Sequence, residues 1–117
     1  DPRRRVLDLQ IVRSTVRGVM ITAPRGKRAE TLAKGLVEAR LAACVNVVPG
    51  VVSHYRWRGK PCRDAECLLL VKTSRAKRPA LKRWITAQHP YSVPELIALP
   101  VADGSKAYLD WLAAQLA

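Results

Sequence analysis

The stretch from Cys44 to Thr73 constrains the fold most strongly, because it is predicted to form one long β-hairpin. Its first arm is rich in valine, tyrosine and tryptophan, which are residue types that suit a pleated surface. Its second arm contains the continuous apolar run 68–71, which is typical of a strand buried on both faces. Between the arms, the Arg-Gly-Lys-Pro sequence at 58–61 predicts a tight turn centred on Gly59 and Lys60, since glycine readily adopts the positive φ that such turns need.

The predicted turn also sets a cross-strand register for the hairpin. In this register Trp57 faces Cys62 and Tyr55 faces Asp64, and successive side chains alternate between the two faces of the ribbon. The Pro49-Gly50 dipeptide interrupts the first arm and predicts a β-bulge there. One face of the ribbon is then expected to carry Val51, Ser53, Tyr55, Trp57, Cys62, Asp64 and Glu66.

The length of the hairpin predicts that it extends beyond the body of the domain. An arm of about fourteen residues at ~3.3 Å per residue reaches roughly 45 Å. A domain of this size should be only about 35 Å across, since its radius of gyration is near ~13 Å. The overhanging tip carries Tyr55 and Trp57, and an isolated two-stranded ribbon is marginally stable in water. Either the ribbon folds back on its own sheet or another subunit covers it, and we favour cover by another subunit.

The 117 residues of the chain are predicted to form one domain, at 15–117, behind a basic N-terminal tail at 1–14. Hydrophobic periodicity and turn residues predict a strand at 15–22, a helix at 27–43, the hairpin, a helix at 76–88, a strand at 95–99 and a helix at 105–116. Helices between strands favour two split β-α-β crossovers. We therefore predict an α+β fold, a ferredoxin-like βαββαβ sandwich with an extra C-terminal helix and a long β2–β3 hairpin.

The formal net charge of +12 is large for a chain of this size, and two clusters of basic residues dominate it. Such clusters attract nucleic acid, anionic lipid or acidic metabolites without specificity. Solvated faces that keep an oligomer in solution are the alternative, which we favour, so no specific nucleic-acid partner is expected. The clusters are Arg56, Arg58, Lys60 and Arg63 at the hairpin tip, and Arg75, Lys77, Arg78, Lys82 and Arg83 around the second helix.

Two further features bear on the location of the chain. No apolar run approaches the ~20 residues that a membrane-spanning helix needs, so we expect a soluble protein without a membrane span. The three cysteines are an odd number, and Cys62 and Cys67 are predicted on opposite faces of one strand. This pattern is not a disulfide framework, and it favours a reducing, cytoplasmic setting.

Catalytic motifs are largely missing from the sequence, so we predict that the chain is not an enzyme. It has no glycine-rich phosphate loop, no serine nucleophile elbow and no paired-histidine metal motif, and it has only two histidines. Cys44 and His89 are candidate ligands for copper or zinc, and His54 with Cys67 is a weaker candidate pair. The alternative is a buried core cysteine and a loop histidine, which is the more frequent situation for these residue types.

Two charges and four aromatic residues mark a candidate cleft or subunit interface. Lys72 lies in an apolar strand and Glu95 begins the fourth strand, and charges in such places usually need partners. They either form a buried pair or line a ligand cleft. Packing between subunits is favoured over a base-stacking platform for the aromatic residues, because they do not interleave with the basic ones. These aromatic residues are Tyr55, Trp57, Tyr91 and Trp111.

Taken together, these residues resemble the CutA family of divalent-ion tolerance proteins, in collinear order over about residues 17–113. The matching segments are Thr22-Ala23-Pro24 after the first strand, the signature at 40–50, the hairpin motif at 53–60 with Glu66 and Lys72-Thr73, His89-Pro90-Tyr91, the segment 94–101 and the segment 108–112.

The resemblance implies a ferredoxin-like fold in a homotrimer whose long hairpins extend into neighbouring subunits. It also implies a role in tolerance of divalent metals, copper above all, with Cys44 and His89 at the positions implicated in copper binding. Ile21 and Trp84 stand where some relatives have cysteine, and Gln88 stands where some have a second histidine. No other cofactor is expected.

The family also resembles the PII signalling proteins, whose ligands sit between subunits. The alternative function is therefore PII-like binding of an anionic small molecule in an intersubunit cleft, and non-specific nucleic-acid binding through the basic clusters is a further alternative. Such a cleft or interface would be lined by Tyr55, Trp57, Glu66, Lys72, Tyr91, Glu95 and Trp111.

Overall fold

The computed structural model describes residues 15–117, so the predicted basic tail at 1–14 lies outside the described residues. Its strands are β1 (Val16–Pro24), β2 (Cys44–Trp57), β3 (Lys60–Ser74) and β4 (Leu96–Pro100), and its helices are α1 (Lys27–Glu38), α2 (Arg78–Gln88) and α3 (Lys106–Gln115). The sheet has the order β2-β3-β1-β4, and every neighbouring pair of strands is antiparallel. This arrangement is the predicted ferredoxin-like sandwich with an added C-terminal helix.

The two faces of the sheet have different environments because side chains alternate along each strand. On one face, Val19, Ile21 and Leu69 pack beneath α1 and α2 in a continuous core that includes Leu36 and Ile85. Within residues 15–117, no helix lies over the centre of the opposite face, and α3 packs at one end of it, where Leu112 and Leu116 contact Val16 and Ala43. We call this second face the open face, and its central side chains are Met20, Leu68, Leu70, Ile97 and Leu99.

The first helix ends at Glu38 and not at Ala43 as predicted. Arg40 adopts a left-handed conformation with φ 57°, and the N–H of Leu41 donates to the carbonyl of Leu36 at 3.0 Å. This C-terminal turn stops the helix although the following residues are apolar. The second helix begins at Arg78, two residues later than predicted, so that Pro79 lies in its first turn, where proline is tolerated.

The hairpin is present, but its predicted register is wrong by two residues. The turn is centred on Arg58 and Gly59, whose φ values of 49° and 77° are both positive, so that Trp57 faces Lys60 and Tyr55 faces Cys62. Because the shift is even, the predicted face of the ribbon is retained, and Val51, Ser53, Tyr55 and Trp57 still share a face with Cys62, Asp64 and Glu66. The predicted bulge is confirmed between Val48 and Val51, with Gly50 at φ 76°.

The hairpin gives the chain an elongated shape. The principal extents are 55 × 31 × 24 Å and the radius of gyration is 16.1 Å, compared with about 13 Å for a compact chain of this length. The side chains of Tyr55 and Trp57 near the tip are 43% and 47% exposed. The predicted overhang is thus confirmed.

Gly35 marks a close approach between the two long helices. A Cβ atom added at this position would lie 2.6 Å from Cζ2 of the Trp84 indole, which is closer than real Cβ contacts allow. The close neighbour of Gly35 is therefore α2.

Candidate functional site

His89 directly follows α2, and its side chain is only 7% exposed. Its Nε2 lies 2.8 Å from the carbonyl oxygen of Thr22, and its Nδ1 accepts a hydrogen bond from the N–H of Tyr91 at 3.1 Å. A carbonyl oxygen only accepts, so Nε2 must carry the proton, and this arrangement fixes one neutral tautomer. Both ring nitrogens thus form hydrogen bonds within the chain, and neither offers a free lone pair to a metal ion.

Tyr91 extends this contact to the hairpin. Its ring lies 4.7 Å from the His89 ring, centroid to centroid, and its hydroxyl donates to Oε2 of Glu66 at 3.0 Å. Glu66 is a buried carboxylate with 6% exposure. Burial, together with the hydrogen bond to this carboxylate, raises the pKa of Tyr91 to about 12. We call the connected residues Thr22, His89, Tyr91 and Glu66 the loop–hairpin network.

A second phenol–carboxylate pair lies next to the network. The Tyr55 hydroxyl donates to Oδ2 of Asp64, and this hydrogen bond is the main cause that raises the pKa of Tyr55 to about 12. Asp64 and Glu66 are two residues apart on β3, so their side chains leave the same face of the ribbon. This face of the ribbon is therefore acidic at the level of Asp64 and Glu66, whereas Arg56 and Arg63 lie on the opposite face.

Cys44 begins β2 on the open face and lies directly opposite Lys72 of β3. The Lys72 ammonium donates to Oδ1 of Asn46. Tyr108 of α3 lies beside Cys44, and burial, followed by the neighbouring thiol, raises the pKa of the Tyr108 phenol. Tyr108 also stacks near Trp111, with ring centroids 5.6 Å apart. The Cys44 thiol is half-buried and is not in a disulfide.

The structure does not bring Cys44 and His89 together within one chain. His89 contacts Thr22, which pairs with Leu68, whereas Cys44 pairs with Lys72, four residues further along β3. At ~3.3 Å per residue this is a separation of roughly 13 Å along the strand. Across residues 15–117, no three histidine, cysteine, aspartate or glutamate residues form a group that could hold a metal ion.

The weaker pair, His54 and Cys67, is also separated. His54 faces Arg63, which lies four residues before Cys67 on β3. The two-residue change in hairpin register accounts for this outcome, because the predicted register placed His54 diagonally opposite Cys67.

Lys72 and Glu95 do not form the buried pair that was one of the two alternatives. Lys72 faces Gly18 of β1, whereas Leu96, the residue after Glu95, faces Ile21. Glu95 is exposed just ahead of β4.

The residues predicted to line a cleft or subunit interface fall into separate groups in the structure. Tyr55 and Trp57 lie near the hairpin tip, and Glu66 and Tyr91 belong to the loop–hairpin network. Lys72 and Trp111 lie towards the α3 end of the sheet, and Glu95 precedes β4.

Three contributors to these groups were not among the predicted site residues. Asp64, which was predicted to face Tyr55, accepts the hydrogen bond from its hydroxyl; Asn46 accepts one from Lys72; and Tyr108 lies beside Cys44. Tyr108 is 42% exposed. The spacing of Asp64 and Glu66, which places two carboxylates on one face of a strand, was a usable signal, but the other two contacts depend on the sheet register and on where α3 packs.

No helix within the described part of the chain is sufficiently long and apolar to cross a membrane.

The family model described as "CutA1 divalent ion tolerance protein" matches residues 18–115. The chain is 57% identical to the divalent-cation tolerance protein CutA of Thermus thermophilus over 94 residues, which cover 80% of this chain and 91% of that protein. It is 44% identical to Protein CutA of Mus musculus over 101 residues, which cover 86% of this chain and only 57% of the mouse protein.

The fold agrees with this sequence similarity. A solved structure of the Thermus thermophilus divalent cation tolerance protein superimposes with a TM-score of 0.81 at 56% identity, and the match covers 83% of this chain and 94% of that chain.

Proposed function

The chain belongs to the CutA1 divalent ion tolerance protein family, and on this premise we propose that it assembles as a homotrimer that contributes to tolerance of divalent metal ions, copper in particular. The proposed role is one of binding rather than catalysis, since the sequence contains no catalytic motif. The three free thiols support a reducing, cytoplasmic setting.

The observation that carries the assembly proposal is the open face of the sheet. Ile97 and Leu99 are 47% and 48% exposed, and Leu68 and Leu70 beside them are half-buried. The continuous apolar run of β3 is typical of a strand covered on both sides, yet α1 and α2 cover only one side. A contiguous apolar face of this kind marks an interaction surface, and a second and third copy of the chain supply matching apolar faces.

The overhanging hairpin supports the same assembly. Its tip exposes Tyr55 and Trp57, which are aromatic residues enriched at protein interfaces. β2 and β4 form the two edges of the sheet, so a neighbouring chain can extend the sheet at either edge. Because Tyr55 and Trp57 share the ribbon face with Glu66, the same neighbour would cover the tip and the adjoining part of the open face.

The residues of one chain, over 15–117, do not form a complete copper site. Both ring nitrogens of His89 are engaged, and Cys44 lies roughly 13 Å away along β3 at ~3.3 Å per residue. We therefore propose Cys44 as the copper-contacting member of the predicted pair, since its thiol is half-buried on the open face and thiolate suits Cu(I). His89 is proposed to act on the stability of the loop–hairpin network instead.

Lys72 favours the second candidate function, PII-like binding of an anionic small molecule. Its ammonium lies on the open face next to Asn46, close to the α3 end that carries Trp111. The hairpin end of the same face carries Asp64 and Glu66, whose charges disfavour an anion there. An anionic ligand is therefore proposed at the Lys72 end of an intersubunit cleft, and stabilisation of the protein by organic acids or nucleotides in a thermal-shift screen would test it.

The metal-tolerance role can be tested by growth in copper. A bacterial strain that lacks its own family member would receive this chain, the empty vector, or the Ile97→Lys/Leu99→Lys variant. We expect the unchanged chain to restore growth in copper-containing medium and the variant to fail, because two lysines on the open face prevent assembly. Equal growth with the empty vector and the unchanged chain would contradict the tolerance role. Full rescue by the variant would show that tolerance does not require assembly.

A further inference from the structure

The outer surface of α1, α2 and their adjoining turns is strongly basic. We call this surface the helix face and define it as residues 25–40 and 75–89. The structure shows one ion pair within it, an exposed contact of 3.8 Å between Lys34 and Glu38. Its two carboxylates are Glu30 and Glu38, and its ten cationic side chains are Arg25, Lys27, Arg28, Lys34, Arg40, Arg75, Lys77, Arg78, Lys82 and Arg83.

Several of these charges stand where they oppose helix stability. Lys27 and Arg28 occupy the first turn of α1, and Arg78 occupies the first turn of α2, which has no acidic residue there. The positive end of the helix dipole disfavours cations in these places. Arg78 and Lys82 are also like charges at i and i+4, which repel each other on a helix surface. An anionic partner would relieve this repulsion, whereas solvent alone only screens it.

A groove of about 660 Å³ runs between the two helices on this surface. The charged residues that line it are Lys27, Arg28, Lys34 and one carboxylate, Glu38, all from α1, and Trp84 and Gln88 line it from α2. Because Gly35 has no side chain, the Trp84 indole lies against α1 and forms a half-buried aromatic surface in the groove. Cations and a partly accessible aromatic ring in one groove are the combination that binds single-stranded nucleic acid.

We propose that the helix face binds single-stranded nucleic acid without sequence preference. The cations contact phosphates, and Trp84 stacks with a base that lies in the groove. A membrane surface fits less well, because Val37 is the one large apolar side chain that this face exposes among the described residues, whereas membrane-surface helices present an apolar stripe. A duplex fits less well because its bases are stacked internally and cannot reach the indole.

This surface is independent of the proposed assembly. The helix face and the open face lie on opposite sides of the sheet, so covering the open face leaves the groove accessible. Loss of nucleic-acid binding would therefore leave the trimer and metal tolerance unaffected, and loss of the trimer would leave the groove in place.

The test is fluorescence anisotropy of a labelled oligodeoxythymidine strand with the full chain at about 150 mM salt, a near-physiological ionic strength. The Lys27→Glu/Arg28→Glu variant should bind about tenfold more weakly, and its salt dependence should fall by roughly 1.4 in slope, since each phosphate contact on a single strand contributes about 0.7. The matched control is Arg56→Glu/Arg63→Glu on the hairpin, which changes the net charge equally and should weaken binding less than about twofold. Equal weakening by both variants would overturn the proposal, because bulk charge would then explain the binding.

Two further readings complete the test. The Lys27→Glu/Arg28→Glu variant should keep or raise the melting temperature, because acidic residues suit the first turn of a helix, so its loss of binding cannot be a loss of fold. In a Trp57→Phe/Trp111→Phe background, Trp84 is the single tryptophan, and the strand should quench its emission. Unchanged Trp84 emission on binding, tighter binding to a duplex, or no binding at this salt concentration would each overturn the proposal.

Discussion

The hydroxyl of Tyr91 donates a 3.0 Å hydrogen bond to the buried carboxylate of Glu66, and this contact joins the loop after α2 to the middle of the long hairpin. The same loop is held to β1 through His89 and the carbonyl of Thr22. The His89-Pro90-Tyr91 segment therefore has a structural task, since it joins β1 to the hairpin.

Replacement of Tyr91 by phenylalanine should lower the free energy of unfolding by about 1–3 kcal/mol, because it leaves the buried Glu66 carboxylate without its hydroxyl partner. Denaturant unfolding of the two proteins measures the difference. Tyr55→Phe is the matched control, since the Tyr55–Asp64 contact is exposed, and it should cost less. An equal or larger loss in the control would show that burial of Glu66 does not govern the effect.

The stability of the chain should fall as the pH rises above about 10. The pKa of Tyr91 is about 12 in the folded chain and 10.0 is the ordinary value, so the folded state retains a proton that the unfolded state loses. The stabilisation is fully present below pH 10 and is lost as the pH approaches 12. Urea unfolding at a series of alkaline pH values should show this loss, and Tyr91→Phe should reduce it. A free energy of unfolding that is constant from pH 9 to pH 12 would contradict the account.

Gly35→Ala should destabilise the protein although alanine is the better helix former. The new methyl group would lie 2.6 Å from the Trp84 ring, and overpacking of this kind costs about 1–3 kcal/mol. In a Trp84→Leu background the same substitution should stabilise by about 1 kcal/mol, the difference in helix propensity. Thermal or chemical unfolding of the four proteins measures both effects. Stabilisation by Gly35→Ala in the unchanged chain would show that the two helices are further apart than described.

Copper uptake should depend on Cys44 and not on His89. Native mass spectrometry with Cu(I) should show binding to the unchanged chain and to His89→Gln, whose amide can still donate to the Thr22 carbonyl, and no binding to Cys44→Ser. The thiol is half-buried on the open face, whereas both histidine nitrogens are engaged. Uptake that survives Cys44→Ser and disappears in His89→Gln would reverse this assignment.

Several features of the fold could be predicted because they depend on local pattern. The alternation of β2 and β3 defined the shared face of Tyr55, Trp57 and Glu66, and the even register shift preserved it. The register itself could not be predicted, because Arg58 adopts a positive φ, a conformation that is normally expected of glycine. The end of α1 was missed for the same reason at Arg40, since the apolar residues that follow look like a continued helix.

The candidate site was less predictable than the fold, because it depends on which strand positions face each other. Cys44 and His89 are suitable ligand types, but β3 places their contacts four residues apart. Lys72 finds Asn46 rather than Glu95 for the same reason. Residue type and spacing along the chain do not contain this information, whereas the sheet register does.

The central claim is that other copies of the chain cover the open face, and native mass spectrometry tests it most directly. The account predicts a particle of three times the 13.0 kDa chain mass. Ile97→Lys/Leu99→Lys on the open face should give a folded monomer, whereas Val37→Lys, a control at a similarly exposed apolar position on the helix face, should leave the trimer intact. A monomeric unchanged chain, or a trimer that persists with both lysines on the open face, would contradict the account.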